Sequence, residues 1–218
     1  MQVRHQVVEE RIAGAGAASP LSDVLPGGPI QSGTAVSAGA DLPLLLVLVA
    51  LATAGTAAWA AVDVPELGAP EPGQAGLDLA TGLVAAAPGP RAAQVLGALL
   101  KSVPVVLVGS AVRIPDRAVR RLRAFIRRSG SVLLAQGGWP GAEVQLHVAS
   151  AGWEGIGRGH GLLRGRRVTV TAGGRGAAAR PRQTQLWLPG PDGLVGVVER
   201  RAEGALVDER RADLHVVG

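Results

Sequence analysis

The sequence predicts an α/β fold with a mainly parallel central sheet and antiparallel strands at its C-terminal end. Three observations carry this. Between residues 34 and 136, short apolar runs alternate with helical patterns, as strand–helix units do. Val103–Gly109 (Val-Pro-Val-Val-Leu-Val-Gly) is apolar almost throughout, as expected of a parallel strand covered on both faces. After Gly137-Gly-Trp-Pro-Gly the pattern becomes an alternation of apolar and polar residues, with glycine-rich turns between the runs.

Taken in order, Val3, Val7, Val8 and Ile12 have helical spacing and predict a short amphipathic helix over 3–13. Residues 14–33 are rich in Gly, Pro and Ser and form a connector. Thr34–Ser37 is a short strand. Leu42–Leu51 is a helix apolar on all sides, hence buried. Ala57–Val64 is a buried strand, with Asp63 at its end. A Pro/Gly loop over 65–76 leads to a helical piece at Leu77–Thr81 and a third apolar strand at Leu83–Ala86. Arg91–Lys101 is an amphipathic helix with Ala92, Val95, Leu96, Leu99 and Leu100 on one face. Pro115–Ser129 is an arginine-rich helix whose core stripe is Val119, Leu122, Phe125 and Ile126. Gly130 caps it, and Ser131–Gln136 is the next strand. Val144–Val148, Val168–Thr171, Gln185–Leu188 and Val195–Val198 are the antiparallel strands. A charged tail over 199–213 precedes a last strand at Leu214–Val217. The domain division expected is 1–25 for helix and connector, 26–191 for the core and 192–218 for the tail.

Composition narrows the function classes. Hydrophobic residues make up 47% of 218 residues, but aromatics only 2%, so the core is built from small aliphatics. Cysteine is absent, which excludes disulfides and thiolate chemistry. Net charge is +5, and Lys101 is the sole lysine among 22 basic residues. The first eleven residues lack the apolar core of a signal peptide, so a cytoplasmic protein is expected. Leu42–Val62 carries no charge for 21 residues and is long enough to span a bilayer, which leaves a single-pass membrane protein as an alternative. Thr53–Thr56 divides that stretch, favouring a buried helix, turn and strand.

The segment from Leu25 to Leu46 sits where a phosphate-binding loop belongs, between a strand and a helix. Such a loop reads G-x-x-x-x-G-K-[ST]. With Gly39 as its first glycine, the second glycine position is Leu44, the lysine position Leu45 and the hydroxyl position Leu46. None of these side chains neutralises phosphate or holds a metal ion, so the nucleotide site is degenerate and no cofactor is expected. The four histidines lack metal-ligand spacing. Asp63 and Glu66 form an acid pair without a phosphate cradle facing them, and their simpler reading is a strand-end turn. No catalytic constellation is present, and the chain is expected not to be an enzyme.

Basic residues offer binding surfaces instead. Gly155–Pro191 contains Arg158, Arg164, Arg166, Arg167, Arg175, Arg180 and Arg182, together with His160 and no acid. Arginines on glycine loops can follow a phosphate backbone or dock an acidic partner. Trp153 and Trp187 border this segment, with too few rings for a stacking platform. Arg117, Arg120, Arg121, Arg123, Arg127 and Arg128 form a second basic face, whose simplest reading is the wet side of an amphipathic helix.

The order of these segments resembles the ATPase core of RecA over roughly residues 26–172. Gly27-Gly-Pro-Ile-Gln-Ser-Gly-Thr-Ala-Val-Ser-Ala-Gly is similar to the approach to its P-loop, and Ala61-Val-Asp-Val-Pro-Glu-Leu to the strand bearing its catalytic acid. Leu83–Pro90 resembles the strand and loop that follow. Val103–Gly109 is similar to its Walker B strand, with Gly109 at the acid position. Val132-Leu-Leu-Ala-Gln136 resembles the strand ending in the switch glutamine. Trp139-Pro-Gly-Ala, Trp153-Glu-Gly-Ile-Gly-Arg-Gly-His-Gly, Arg166-Arg-Val-Thr-Val, Gly173-Gly-Arg-Gly and Leu186-Trp-Leu-Pro-Gly-Pro-Asp-Gly resemble the actinobacterial ImuA-prime type of RecA-like protein. That resemblance implies a non-catalytic adaptor in DNA-damage-induced (SOS) translesion synthesis and mutagenesis. It also implies an ImuB-type inactive Y-family polymerase relative as partner and, through it, an error-prone DnaE-type polymerase, with DNA contact through the arginine-rich segment. The alternative is a RecA-family nucleotide- and DNA-binding regulator of recombination or repair with a backbone-only phosphate site at Gly39.

Overall fold

The computed structural model describes residues 21–53, 57–68, 77–157, 160–190 and 196–197. The helix expected over 3–13, the terminal strand at Leu214–Val217 and Arg158 lie outside them. The chain runs β1 (Ala35–Ser37), α1 (Leu42–Thr53), β2 (Trp59–Val62), β3 (Gly82–Ala85), α2 (Ala92–Ser102), β4 (Val105–Val108), α3 (Asp116–Ser129) and β5 (Val132–Ala135). It continues through β6 (Val144–Gly157), β7 (His160–Gly174), β8 (Arg182–Trp187) and β9 (Gly196–Val197). All nine strands form one sheet in the order β3-β2-β4-β5-β1-β6-β7-β8-β9. Pairing is parallel from β3 to β6 and antiparallel from β6 to β9. The architecture is therefore α/β, with a mostly parallel sheet and antiparallel C-terminal strands.

Each face of the sheet has its own core. α2 and α3 cover one face, where Leu96, Leu100, Leu122 and Ile126 meet Ala60, Val62, Val106, Val108 and Leu133. α1 covers the other, together with Leu21, Val24 and Leu25. The cluster that holds α1 spans both halves of the sheet. It takes Val36, Val105, Leu107 and Leu134 from the parallel strands and Leu146, Val168, Val170 and Leu186 from the antiparallel ones. A helix enclosed on all sides has no polar stripe to keep, and Leu44 through Ala50 are all buried.

The apolar run Leu42–Val62 divides as its Thr53–Thr56 break predicts. α1 ends at Thr53, and β2 is a buried strand of the sheet. Among the described residues, no helix is long and apolar enough to cross a membrane. The apolar strand expected at Leu83–Ala86 is the edge strand β3, which leaves Leu83 and Val84 54% and 63% exposed.

The main difference in extent is the β6–β7 hairpin. Short strands were expected at Val144–Val148 and Val168–Thr171, but the pairing runs from Val144↔Gly174 to Gly157↔His160. β6 accompanies β1 only as far as Ser37↔Gln145, and β8 pairs with β7 only over 167–172. Residues 153–157 and 160–166 therefore project as a two-stranded arm, with register shifts at Ser150/Gly152 and Glu154/Ile156. Because β6 runs parallel to β1, the arm extends from the carboxyl end of the parallel strands.

Candidate functional site

Open parallel sheets bind ligands beyond the carboxyl ends of their strands. Here β2, β4, β5 and β1 lie side by side, and their ends deliver Asp63, Gly109, Gln136 and Gly39 to one edge. The sequence-predicted positions Gly39, Gly109 and Gln136 thus come together. A cleft of about 440 Å³ opens there, lined by Ser37, Gly39, Gly137, Gly138, Trp139, Pro140, Gln145 and His147. No carboxylate, lysine or arginine lines it. Among the described residues no group of three His, Cys, Asp or Glu is placed to hold a metal ion.

The geometry of the β1–α1 connection differs from an open phosphate cradle. Three residues, Gly39, Ala40 and Asp41, are all that follow Ala38 before α1 begins. Leu44, Leu45 and Leu46 are 0%, 0% and 1% exposed and point into the core. The Gly39 carbonyl accepts a hydrogen bond from the Gly137 N–H, and the Ser37 hydroxyl donates to the Gly137 carbonyl. These bonds pin the β1–α1 turn to the loop after β5. The N-terminus of α1, with its free N–H groups and positive dipole end, is the natural seat for an anion. The chain fills it with its own carboxylate: Asp41 Oδ1 accepts from the Leu44 N–H at 3.0 Å. Its Oδ2 accepts from Arg166 at 2.7 Å, and both side chains are largely buried. Asp41 is therefore an N-cap and an ion-pair partner at once. Sequence reading missed it, although Asp followed by Leu-Pro before an apolar run is a helix-start signature.

The space beside Gly109, the position likened to a Walker B acid, is closed by backbone. A Cβ on Gly109 would lie 1.7 Å from the Asp63 carbonyl oxygen, so no side chain fits there. Asp63 itself has φ +55 and turns the chain past the end of β4; its Oδ1 accepts from the Ala87 N–H at 3.3 Å. Glu66 is exposed on a 3₁₀ turn at Pro65–Gly68. Gln136 is 8% exposed, and its Oε1 accepts a long bond from the Ser110 N–H at 3.4 Å.

The arginines of the basic segment are dispersed. Arg166 is committed to Asp41 and is no open basic side chain. Arg167 pairs with Glu154 at 3.1 Å and lies over the Trp187 ring. Arg164 is exposed on the arm, as is Trp153, which sits opposite Arg166 and is 52% exposed. Arg175, Arg180 and Arg182 are exposed around the 176–179 turn. Eleven strand positions separate Arg164 from Arg175, about 36 Å at 3.3 Å per residue, so the segment makes two basic regions. Trp139 is 8% exposed and packs against the core of the α2/α3 face.

No curated protein matches this chain. A family does, and its match ends at Gly141, three residues before β6, so it takes in the parallel strands β1 to β5 with all three helices and leaves out the arm. Residues 23–141, more than half of the chain, match the family described as MT3502 N-terminal domain, and the protein belongs to that family.

Proposed function

We propose that this chain is a non-catalytic adaptor with a RecA-like core and a degenerate nucleotide site. It acts in damage-induced translesion synthesis and mutagenesis, in the cytoplasm, by docking an ImuB-type inactive Y-family relative and, through it, an error-prone DnaE-type polymerase at damaged DNA. The observation that carries the non-catalytic part is the Asp41 carboxylate at the α1 N-terminus, held there by Leu44 N–H and Arg166. An anion seat occupied by a buried internal carboxylate repels phosphate instead of cradling it. The closed space at Gly109 points the same way, because a metal-holding acid has nowhere to sit.

The strand order supports the RecA-like part: β1 lies between β5 and β6, with β4 beyond β5, so the segments likened to P-loop, switch and Walker B strands are neighbours at one edge. The docking part rests on the ImuA-prime resemblance and on the arm, whose Trp153 is exposed in a way that suits an anchor residue. The test is a pull-down of the ImuB-type relative from the same organism by the full chain, at low and high salt, beside Trp153→Ala/Arg164→Ala. Capture by the parent and its loss in the variant is the expected result. No capture by a folded full chain overturns the adaptor reading. Saturable ATP binding by calorimetry would favour the nucleotide-binding regulator in its place.

A further inference from the structure

The outward face of α3 is the densest run of positive charge on the described chain, and the adaptor reading makes no use of it. Val119, Leu122 and Ile126 face the core. At 100° per residue, Arg117, Arg121 and Arg128 fall within about 40° of one another on the opposite side. Arg120 and Arg127 flank them, and all five are exposed. Arg123 pairs with Glu143 at 3.4 Å; among the described residues none of the other five has an acid within ion-pair distance. Asp116 is the helix's own acid. The last turn of α2 adds a cation: Lys101 Nζ lies 4.7 Å from the centroid of Phe125, and Arg128 Cζ lies 5.1 Å from the same centroid.

Folding explains only part of this charge. Arg127 and Arg128 in the last turn complement the negative end of the helix dipole. Arg117 sits in the first turn, where the dipole opposes it. Arg117 also repels Arg120 at i+3 and Arg121 at i+4. Solvation of the wet face needs no such clustering. A polyanion held along the ridge relieves both penalties at once.

We infer that the outward face of α3, with Lys101 beside it, binds the phosphate backbone of a nucleic-acid duplex. The ridge is convex and about 21 Å long at 1.5 Å per residue, long enough to meet several phosphates of a duplex. Phe125, the ring on this face, is half-buried beneath two cations, so there is no stacking platform for a single strand. Contacts of this kind fix position and carry no base information. This inference stands apart from the adaptor reading and from the arm.

The test is fluorescence anisotropy of the full chain with a labelled duplex of about two helical turns, titrated between 50 and 200 mM salt. Arg117→Gln/Arg121→Gln/Arg128→Gln changes only exposed side chains, and circular dichroism checks its fold. We expect it to lose affinity at least tenfold, with a salt slope shallower by about two to three, near 0.9 per lost phosphate contact. Arg175→Gln/Arg180→Gln/Arg182→Gln removes the same net charge elsewhere and is the comparison. A clearly larger loss in the α3 variant supports the site. Equal losses, a parent that does not bind, single strands bound as tightly as duplex, or displacement of the duplex by an equal charge of polyglutamate overturns it.

Discussion

Gly109 has no room for even a methyl group, because the Asp63 carbonyl occupies the place a Cβ would take. Gly109→Ala is expected to lose about 3 kcal/mol or more of stability in urea melts, at the upper end for overpacking a tight interior. Gly109→Asp is expected to fold worse still. Asp41 makes the second residue-scale test. Removing one partner of a buried ion pair costs about 3–5 kcal/mol, chiefly by stranding the other charge. Asp41→Ala should therefore be strongly destabilising, and Arg166→Met should recover part of that loss in the double variant. A double-mutant cycle by denaturant melts reads the coupling; additive losses would mean the pair does not hold the arm to α1. Asp41→Asn keeps the cap acceptor and should lose less than Asp41→Ala.

The arm is the element least tied to the rest. Residues 153–157 and 160–166 take their ladder partners only from each other, the arm being tied to the rest at Arg166, and an isolated two-stranded ribbon is marginal in water. Hydrogen exchange should find its amides opening well before those of β4 and β5, which have strands on both sides and helices over both faces. Equal protection would show that something further braces the arm. Its length was not legible in the sequence, because Gly152, Gly155, Gly157, Gly159 and Gly161 look like turn residues, and bulges at two points break the alternation that marks a strand. The parallel strands were legible for the opposite reason. Burial on both faces leaves runs such as Val105–Val108 with no polar residue to confuse the pattern. Gly39, Gly109 and Gln136 were readable as strand-end positions. What closes the site was not, since Arg166 lies 125 residues from Asp41 and no local pattern joins them. Trp59 was missed likewise: its ring fills the space above Gly82, where a Cβ would fall 2.3 Å from it, and its indole N–H donates to the Asp78 carbonyl at 2.8 Å.

For the molecule as a whole, the boundary of the family match at residue 141 is not a boundary of the core. β6 flanks β1, and the core cluster that holds α1 takes in Leu146, Val168, Val170 and Leu186 as well as residues of the parallel strands. A fragment covering residues 21–142 leaves that side of α1 bare. It is expected to aggregate or to lack a cooperative melt, whereas the full chain melts in one transition; a well-folded fragment would show two separable halves. The same arrangement has a consequence at the ribosome. α1 leaves the exit tunnel long before Leu186 is made, and 133 residues separate Thr53 from Leu186. At 5–20 residues per second this is about 7–27 s in which an uncharged, leucine-rich helix has no strands of its second half to lie on. During that interval its apolar surface is open to other chains, and a chaperone that shields apolar segments is what this chain needs most.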